Sequence, residues 1–332
     1  MVRVGARDRC LPCFDDAAEA GWRGDWGFVC LADTQFGMLR HDESWGEEKA
    51  MLLEAAARVN ALSPPPRFVC VCGDLVNAWP RRGASGADGE PNAVAQAQVD
   101  DLQAALDAFR PDVPLLCLCG NHDIGNRPNA ATIQQYRQNW GDDYFSFRVG
   151  GCLCVAINSS LYHDPTDAAA EAQAHEAWLD ATLRAAAASG DAKPVHTLLF
   201  GHIPPFLHDP SEPTGYFNWP AGVRRRVLDQ LHASRANVHA WFCGHYHRNA
   251  GGWDGTLEVV TTAAVGTNLL SATHEGSDPL ELSGIGGAAL ERRTSGLRLV
   301  HVSRDRISHL WCSMAEEMPP AISAAAERGA AG

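Results

Sequence analysis

The chain predicts an α/β fold, and three observations carry that prediction. Short apolar or β-branched runs alternate with helix-length stretches up to about residue 243. Further strand-like runs crowd the C-terminal part with little helix between them, which adds a second sheet packed on the first. Five of the early runs end alike, in a turn that carries Asp, Asn or His.

The strand candidates are Phe28–Ala32, Phe68–Cys72, Leu115–Cys119, Leu153–Asn158, Val195–Phe200 and Val238–Cys243, followed by Leu257–Thr262, Leu297–Val302 and Ile307–Cys312. Most are continuously apolar, as expected of strands covered on both faces. Helical stretches run over Glu47–Leu62, Ala93–Phe109, Ala130–Trp140, Glu171–Ala188 and Ala221–Ser234. Trp79–Asn92 (WPRRGASGADGEPN) reads as a long loop, and the Gly- and Ser-rich stretch 271–295 as a mobile insertion. From residue 315 the chain is Ala-rich and aperiodic, the pattern of a disordered tail. No linker or repeat divides the rest, so residues 1–25 form an N-terminal extension and 26–314 one domain.

Composition narrows the function. The 332 residues carry 45% hydrophobic and 20% charged side chains, ordinary for a soluble enzyme. There is no run of about twenty apolar residues and no apolar leader segment; the expectation is a cytoplasmic protein without a membrane partner. A formal net charge of −13 argues against nucleic acid as a partner. Eleven cysteines cannot all pair within one chain. Cys70/Cys72, Cys117/Cys119 and Cys152/Cys154 have the spacing that puts both thiols on one face of a strand, where they read as small buried hydrophobes. Cys10-x-x-Cys13 has no second pair to complete a metal site.

The chemistry lies at the strand ends. Asp33-Thr34-Gln35 follows the first strand, Gly73-Asp74-Leu75-Val76-Asn77 the second, and Gly120-Asn121-His122-Asp123 the third. Gly201-His202-Ile203-Pro204 follows the strand at 195–200, and Gly244-His245-Tyr246-His247 the strand at 238–243. Ligands collect at the carboxyl ends of strands in open α/β sheets, and glycine allows the tight turns such ends need. With 14 histidines, one H-x-H motif is weak evidence alone. Five motifs at one structural position, in order, are strong evidence. The remaining histidines lack that context and read as surface or core residues.

Together these motifs resemble the calcineurin-like metallophosphoesterases, whose pattern is D-x-H, GD-x-x-[ND], GNH[DE], GH and GH-x-H. Within that superfamily GNHDIGN, GDDYFSF and GHYHRNAGG resemble the calcineurin-like phosphoesterase domain-containing group of cytosolic Ser/Thr protein phosphatases. The resemblance implies two stacked β-sheets flanked by α-helices, a four-layer sandwich with two divalent metal ions at one edge. Position by position, it implies that Asp33, Asp74 and His247 hold the first ion. Asp74 bridges to the second, which Asn121, His202 and His245 complete. His122 is then the general acid at the leaving group, oriented by Asp123, and Asn77 supports Asp74. Gln35 stands where most of the superfamily has a histidine ligand, so the first ion is expected to be the more weakly held.

A set of Asp, Asn and His donors suits Mn, Fe or Zn. Two such ions about 3.5–4 Å apart lower the pKa of a bridging water and stabilise an in-line displacement at phosphorus. The expected reaction is attack of a metal-bridging hydroxide on a phosphate monoester, phosphoserine or phosphothreonine in a protein, or on a small phosphate ester. Arg127 and Arg248 lie beside the motifs and suit phosphate oxygens, although ordinary surface arginines look the same. Two other readings compete: a Mn-dependent diphosphatase for ADP-ribose or CDP-alcohols, which shares D-x-Q, and a metal-poor binding scaffold. Nothing in the sequence specifies an oligomeric state.

Overall fold

Alternation within the strands assigns each face of the fold a different core. In the first strand Phe28 and Cys30 point one way, Val29 and Leu31 the other, and all four are fully buried. The computed structural model describes residues 4–83, 86–271 and 285–328. Its two large sheets stack face to face, with helices outside both.

The first sheet joins β1 (Trp26–Leu31), β2 (Val69–Val71), β3 (Leu115–Cys117), β12 (Gly296–Val302) and β13 (Ile307–Ser313) in the order β13-β12-β1-β2-β3. β1, β2 and β3 are parallel, whereas β12 and β13 add antiparallel at the β1 edge. The second sheet joins β4 (Phe145–Val149), β5 (Cys152–Ala156), β6 (Thr197–Phe200), β7 (Val238–Cys243), β8 (Ala250–Asp254) and β9 (Leu257–Thr261) in the order β4-β5-β6-β7-β9-β8. Its four middle strands are parallel and its two edge strands antiparallel. A ribbon of β10 (Asn268–Ser271) and β11 (Ile285–Ala289) stands apart.

Between the sheets lies a core of Phe28, Phe68, Phe147, Phe200 and Phe242 with Cys70, Cys72, Cys152 and Cys154 among them. Phe28 stacks on Phe68 at 4.7 Å and meets Phe242 edge-on at 5.3 Å, so one ring joins neighbouring strands and both sheets. Truncating such a ring to Ala typically costs about 3–5 kcal/mol. Val29, Leu31, Val69 and Val71 face the other way, onto helices Gly46–Asn60, Ala93–Leu106 and Ala130–Trp140. Leu199, Trp241 and Val259 face helices Ala169–Ala187 and Ala221–Ser234. The four layers are therefore helix, sheet, sheet, helix. No described helix is long and apolar enough to cross a membrane.

Residues 4–20 strap the sandwich. Val4 N–H donates to Leu115 O on β3 at 3.0 Å, and Cys10 pairs beside Ser146 on β4. The strap thus touches an edge strand of each sheet, and Ala6 and Leu11 join the inter-sheet core. The tail expected to be disordered from 315 is packed as far as Arg328: Ile322 and Ala325 are buried, and Ala324–Arg328 is helical. Alanine has no side-chain rotamer entropy to lose, and Ser63 N–H donates to Pro320 O at 2.9 Å, so the segment is tied as well as packed. Of the insertion expected at 271–295, residues 272–284 lie outside those described, and its ends pair as the ribbon. The loop at 79–92 is pinned by its own backbone, Arg82 N–H to Glu90 O at 3.0 Å and Asn92 N–H to Pro80 O at 3.0 Å.

Candidate metal centre

Each strand-end motif reaches the same spot. Asp33 and Gln35 come from the turn after β1, Asp74 from the turn after β2 and Asn121 from just beyond β3, all in the first sheet. His202 follows β6, and His245 and His247 follow β7, in the second. Asp33, Gln35, Asp74, His245 and His247 all have positive φ, between 34° and 71°. Left-handed backbone is costly for non-glycine residues and concentrates at functional sites. The flanking glycines make room: a Cβ on Gly120 would overlap the Asp74 carboxylate, and one on Gly244 would lie 2.6 Å from Asp33 Oδ2.

Two groups of donors result. Asp33, Asp74 and His247 form one, Asp74, His202 and His245 the other, and within each the ligand atoms lie within 4.8 Å of one another. Asp74 alone belongs to both. Asn121 joins the second group, its Oδ1 3.1 Å from His202 Nε2. Every candidate ligand is buried, Asp33 and His202 completely.

The imidazoles are oriented by main-chain carbonyls. His202 Nδ1–H donates to Cys72 O at 2.7 Å and His247 Nδ1–H to Thr267 O at 2.7 Å, leaving Nε2 of each for a metal. His245 is reversed: Nε2–H donates to Tyr216 O at 3.0 Å, leaving Nδ1. Ligating histidines typically spend the second nitrogen this way. Glu48, from the helix at 46–60, accepts Thr267 Oγ1–H at 3.0 Å and so steadies the segment behind His247.

Gln35 is held by a chain of amides whose direction is fixed. Asp42 Oδ1 can only accept, so Asn77 turns Nδ2 to it at 2.8 Å and Oδ1 to Gln35 Nε2 at 3.2 Å. Gln35 Oε1 is left buried without a hydrogen-bond partner, a costly state unless something positive meets it. Asn77 therefore supports Gln35, not Asp74 as the sequence suggests; the sequence shows the spacing but not which neighbour the amide reaches.

Electrostatics point the same way. Burial, reinforced by the Asp74 carboxylate, pushes Asp33 well above the usual carboxylate range. Burial opposes ionisation of Asp74 too, but His202 and His122 outweigh it and hold Asp74 low. His202 is raised to about 9, the Asp74 carboxylate overcoming burial. Burial keeps His247 down at about 4, and His245 well below its ordinary value. Buried carboxylates, imidazoles kept neutral at His245 and His247, and an orphaned amide oxygen make a donor set that fits divalent cations, and a cation there would take the place of the proton that Asp74 favours on His202.

His122 sits at the rim, half-buried. Asp123 does not orient it: the Asp123 oxygens accept Leu75 N–H at 3.1 and 3.2 Å and Gly120 N–H at 2.8 Å, holding two ligand turns together. Burial and the Asp74 charge raise Asp123 to about 7. The partner of His122 Nδ1 is the carbonyl of Asn77, at 2.6 Å. Arg127 is exposed and pairs with Asp167 at 3.0 Å. Arg248 donates to Leu269 O at 2.9 Å and lies over the Tyr246 ring.

Two contributors have no sequence signal. Tyr216 holds His245 through its carbonyl, and its hydroxyl accepts Asn121 Nδ2–H at 3.3 Å. Trp79 stacks on His122 with ring centroids 4.0 Å apart. Both lie in loops without a recognisable pattern.

Comparison with known proteins agrees with this geometry. The calcineurin-like phosphoesterase family model matches residues 27–249. The chain is 37% identical to the serine/threonine-protein phosphatase CPPED1 of Mus musculus, over 94% of this chain and 91% of that protein. Its counterpart from Danio rerio is 36% identical, over 94% and 93%. Among solved structures, a dimetal phosphatase from Danio rerio aligns with TM-score 0.53 at 15% identity, covering 88% of this chain and 98% of that one. The yellow lupin purple acid phosphatase PPD1 aligns with TM-score 0.59 at 12% identity, covering 90% and 53%; at these identities the likeness is one of fold. By its matched domain, its relatives and its two linked ligand groups, the chain belongs to the calcineurin-like phosphoesterase family.

Proposed function

We propose that this chain is a metal-dependent phosphomonoesterase acting on phosphoserine and phosphothreonine in proteins. The observation that carries the reading is the pair of buried ligand groups joined by Asp74. The relatives named as serine/threonine-protein phosphatases, aligned over nearly their whole length, support the substrate class.

Asp33, Gln35, Asp74 and His247 would hold one ion, and Asp74, Asn121, His202 and His245 the other. Mixed oxygen and imidazole donors favour Mn, Fe or Zn. When bound, such ions supply Lewis-acid polarisation of the phosphoryl group and an activated water. The chain supplies the rest. Two ions with four positive charges exceed the two carboxylates Asp33 and Asp74, so a phosphate dianion is attracted into an acidic protein. The alkoxide of serine or threonine leaves poorly unless protonated. His122 keeps Nδ1–H on Asn77 O, so as the imidazolium it can give its second proton, on Nε2, to the leaving oxygen and remain as the neutral Nδ1–H ring.

The catalytic unit in this reading is residues 26–314, braced by the N-terminal strap and the packed tail. Free thiols at all eleven cysteines, nine of them buried, support a reducing, cytoplasmic setting.

The test is a parallel assay in defined Mn, Fe or Zn. Phosphoserine and phosphothreonine peptides should be turned over with a higher kcat/KM than ADP-ribose. Preference for ADP-ribose would transfer the chain to the diphosphatase reading, and a purified protein that binds no metal would leave only the scaffold.

A further inference from the structure

The loop after Asn77 brings an indole onto the imidazole of His122. Trp79 and His122 lie 4.0 Å apart between ring centroids, with planes 12° from parallel. His122 is therefore held in two independent ways. The hydrogen bond from Nδ1 to Asn77 O fixes where one edge of the ring points, but a single bond leaves the ring free to turn about its axis. An aromatic face against the imidazole removes that rotation.

Trp79 is itself anchored. Its carbonyl accepts Asn92 Nδ2–H at 3.0 Å, and Asn92 also caps the helix at 93–106 by accepting Val94 N–H at 3.1 Å. Gly86, at φ +74°, packs so tightly that a Cβ there would overlap indole atoms Cε3 and Cδ2. The backbone of Trp79 is thus tied to a helix and its indole backed by a glycine, more support than a surface tryptophan needs.

We infer that Trp79 is a positioning residue for leaving-group protonation, acting through His122 and not through the substrate. The inference rests on the reading of His122 as the general acid. Small displacements of a reacting group cost rate steeply, up to roughly 100-fold for about 1 Å. Loss of the indole should therefore matter most where the leaving group most needs its proton.

The experiment uses the metal-loaded enzyme, with metal content and thermal midpoint checked for every variant. On a phosphoserine peptide, Trp79→Leu should lower kcat by about 10- to 100-fold while KM stays within about threefold. On p-nitrophenyl phosphate, whose leaving group needs little protonation, the loss should be under about threefold. Trp79→Phe should recover most of the rate. In a His122→Asn background Trp79→Leu should add almost nothing, because the group it positions is gone.

A rise in KM with kcat unchanged would overturn the inference, since the indole would then touch substrate. So would equal losses on both substrates, or full additivity with His122→Asn. Failure of the general-acid reading shows separately, as a His122→Asn penalty equal on the two substrates. If Trp79→Leu does not fold, Gly86→Ala pushes the indole without removing it. It should depress peptide turnover selectively, and unaltered kinetics would overturn the inference.

Discussion

Gln35 and Asn77 meet amide to amide, Nε2 to Oδ1 at 3.2 Å, with Asp42 setting the direction of the contact from the far side of Asn77. Gln35 Oε1 is thereby presented as a neutral oxygen donor where most of the superfamily has an imidazole. Amide oxygen binds first-row metals more weakly than imidazole does. The ion on the Asp33 side should thus be the weaker of two. Gln35→His should tighten it and Gln35→Leu weaken it, each by roughly tenfold or more. Activity titrated against free Mn reads both shifts; identical curves for the three proteins would show that Gln35 is not a ligand.

Asp74 is the one carboxylate common to both ligand groups. Asp74→Asn removes a negative charge from between two cations while keeping the shape. It should release at least one ion and lower kcat/KM by about 10³-fold or more. Elemental analysis beside kinetics checks this, and full metal content with near-normal turnover would contradict a shared ligand.

His122→Asn should keep both ions, since no ligand is touched. It should lower turnover of an alkyl phosphate by about two to four orders of magnitude and that of p-nitrophenyl phosphate by much less. Equal losses would instead assign His122 to stabilising charge on the phosphoryl oxygens.

His175 offers a test of stability away from the metals. Its ring is wholly buried between Tyr144, at 4.5 Å, and Tyr162, at 5.2 Å, and both its nitrogens lack hydrogen-bond partners. Burial lowers its pKa from 6.5 to about 4. Between those values the unfolded chain binds the proton and the folded one does not. Stability is therefore full above pH 6.5 and falls as the pH drops toward 4, by an amount on the order of 3 kcal/mol in all. His175→Phe, measured by urea unfolding of metal-free protein at pH 5 and pH 7.5, should flatten that decline. An unchanged slope would show that other groups dominate it.

The sequence made much of this legible because the candidate ligands lie in compact motifs at strand ends, four of the five turning on a glycine. Strands such as β7 and helices such as Ala130–Trp140 were readable from continuous apolar runs and from helical periodicity. β4 was not, since Ser146 and Arg148 alternate with its buried residues at a sheet edge. β8 was not, since Ala250-Gly251-Gly252 carries little side-chain signal. The orienting partners were hidden for a different reason. His202, His245, His247 and His122 are all held by backbone carbonyls, and every residue owns a carbonyl. Only the fold decides that those of Cys72, Tyr216, Thr267 and Asn77 arrive there.

The N-terminal strap has a consequence for how the chain is made. Arg9 N–H binds Asp142 across 133 residues of sequence, so a segment emerging early from the ribosome waits for partners synthesised much later. At about 5–20 residues per second that wait is on the order of ten seconds. Meanwhile Leu11 has no core to join, because β3 and β4, whose edges the strap covers, have yet to be made. Refolding of the whole chain and folding during synthesis should therefore differ most in this segment, where a chaperone would have something to hold.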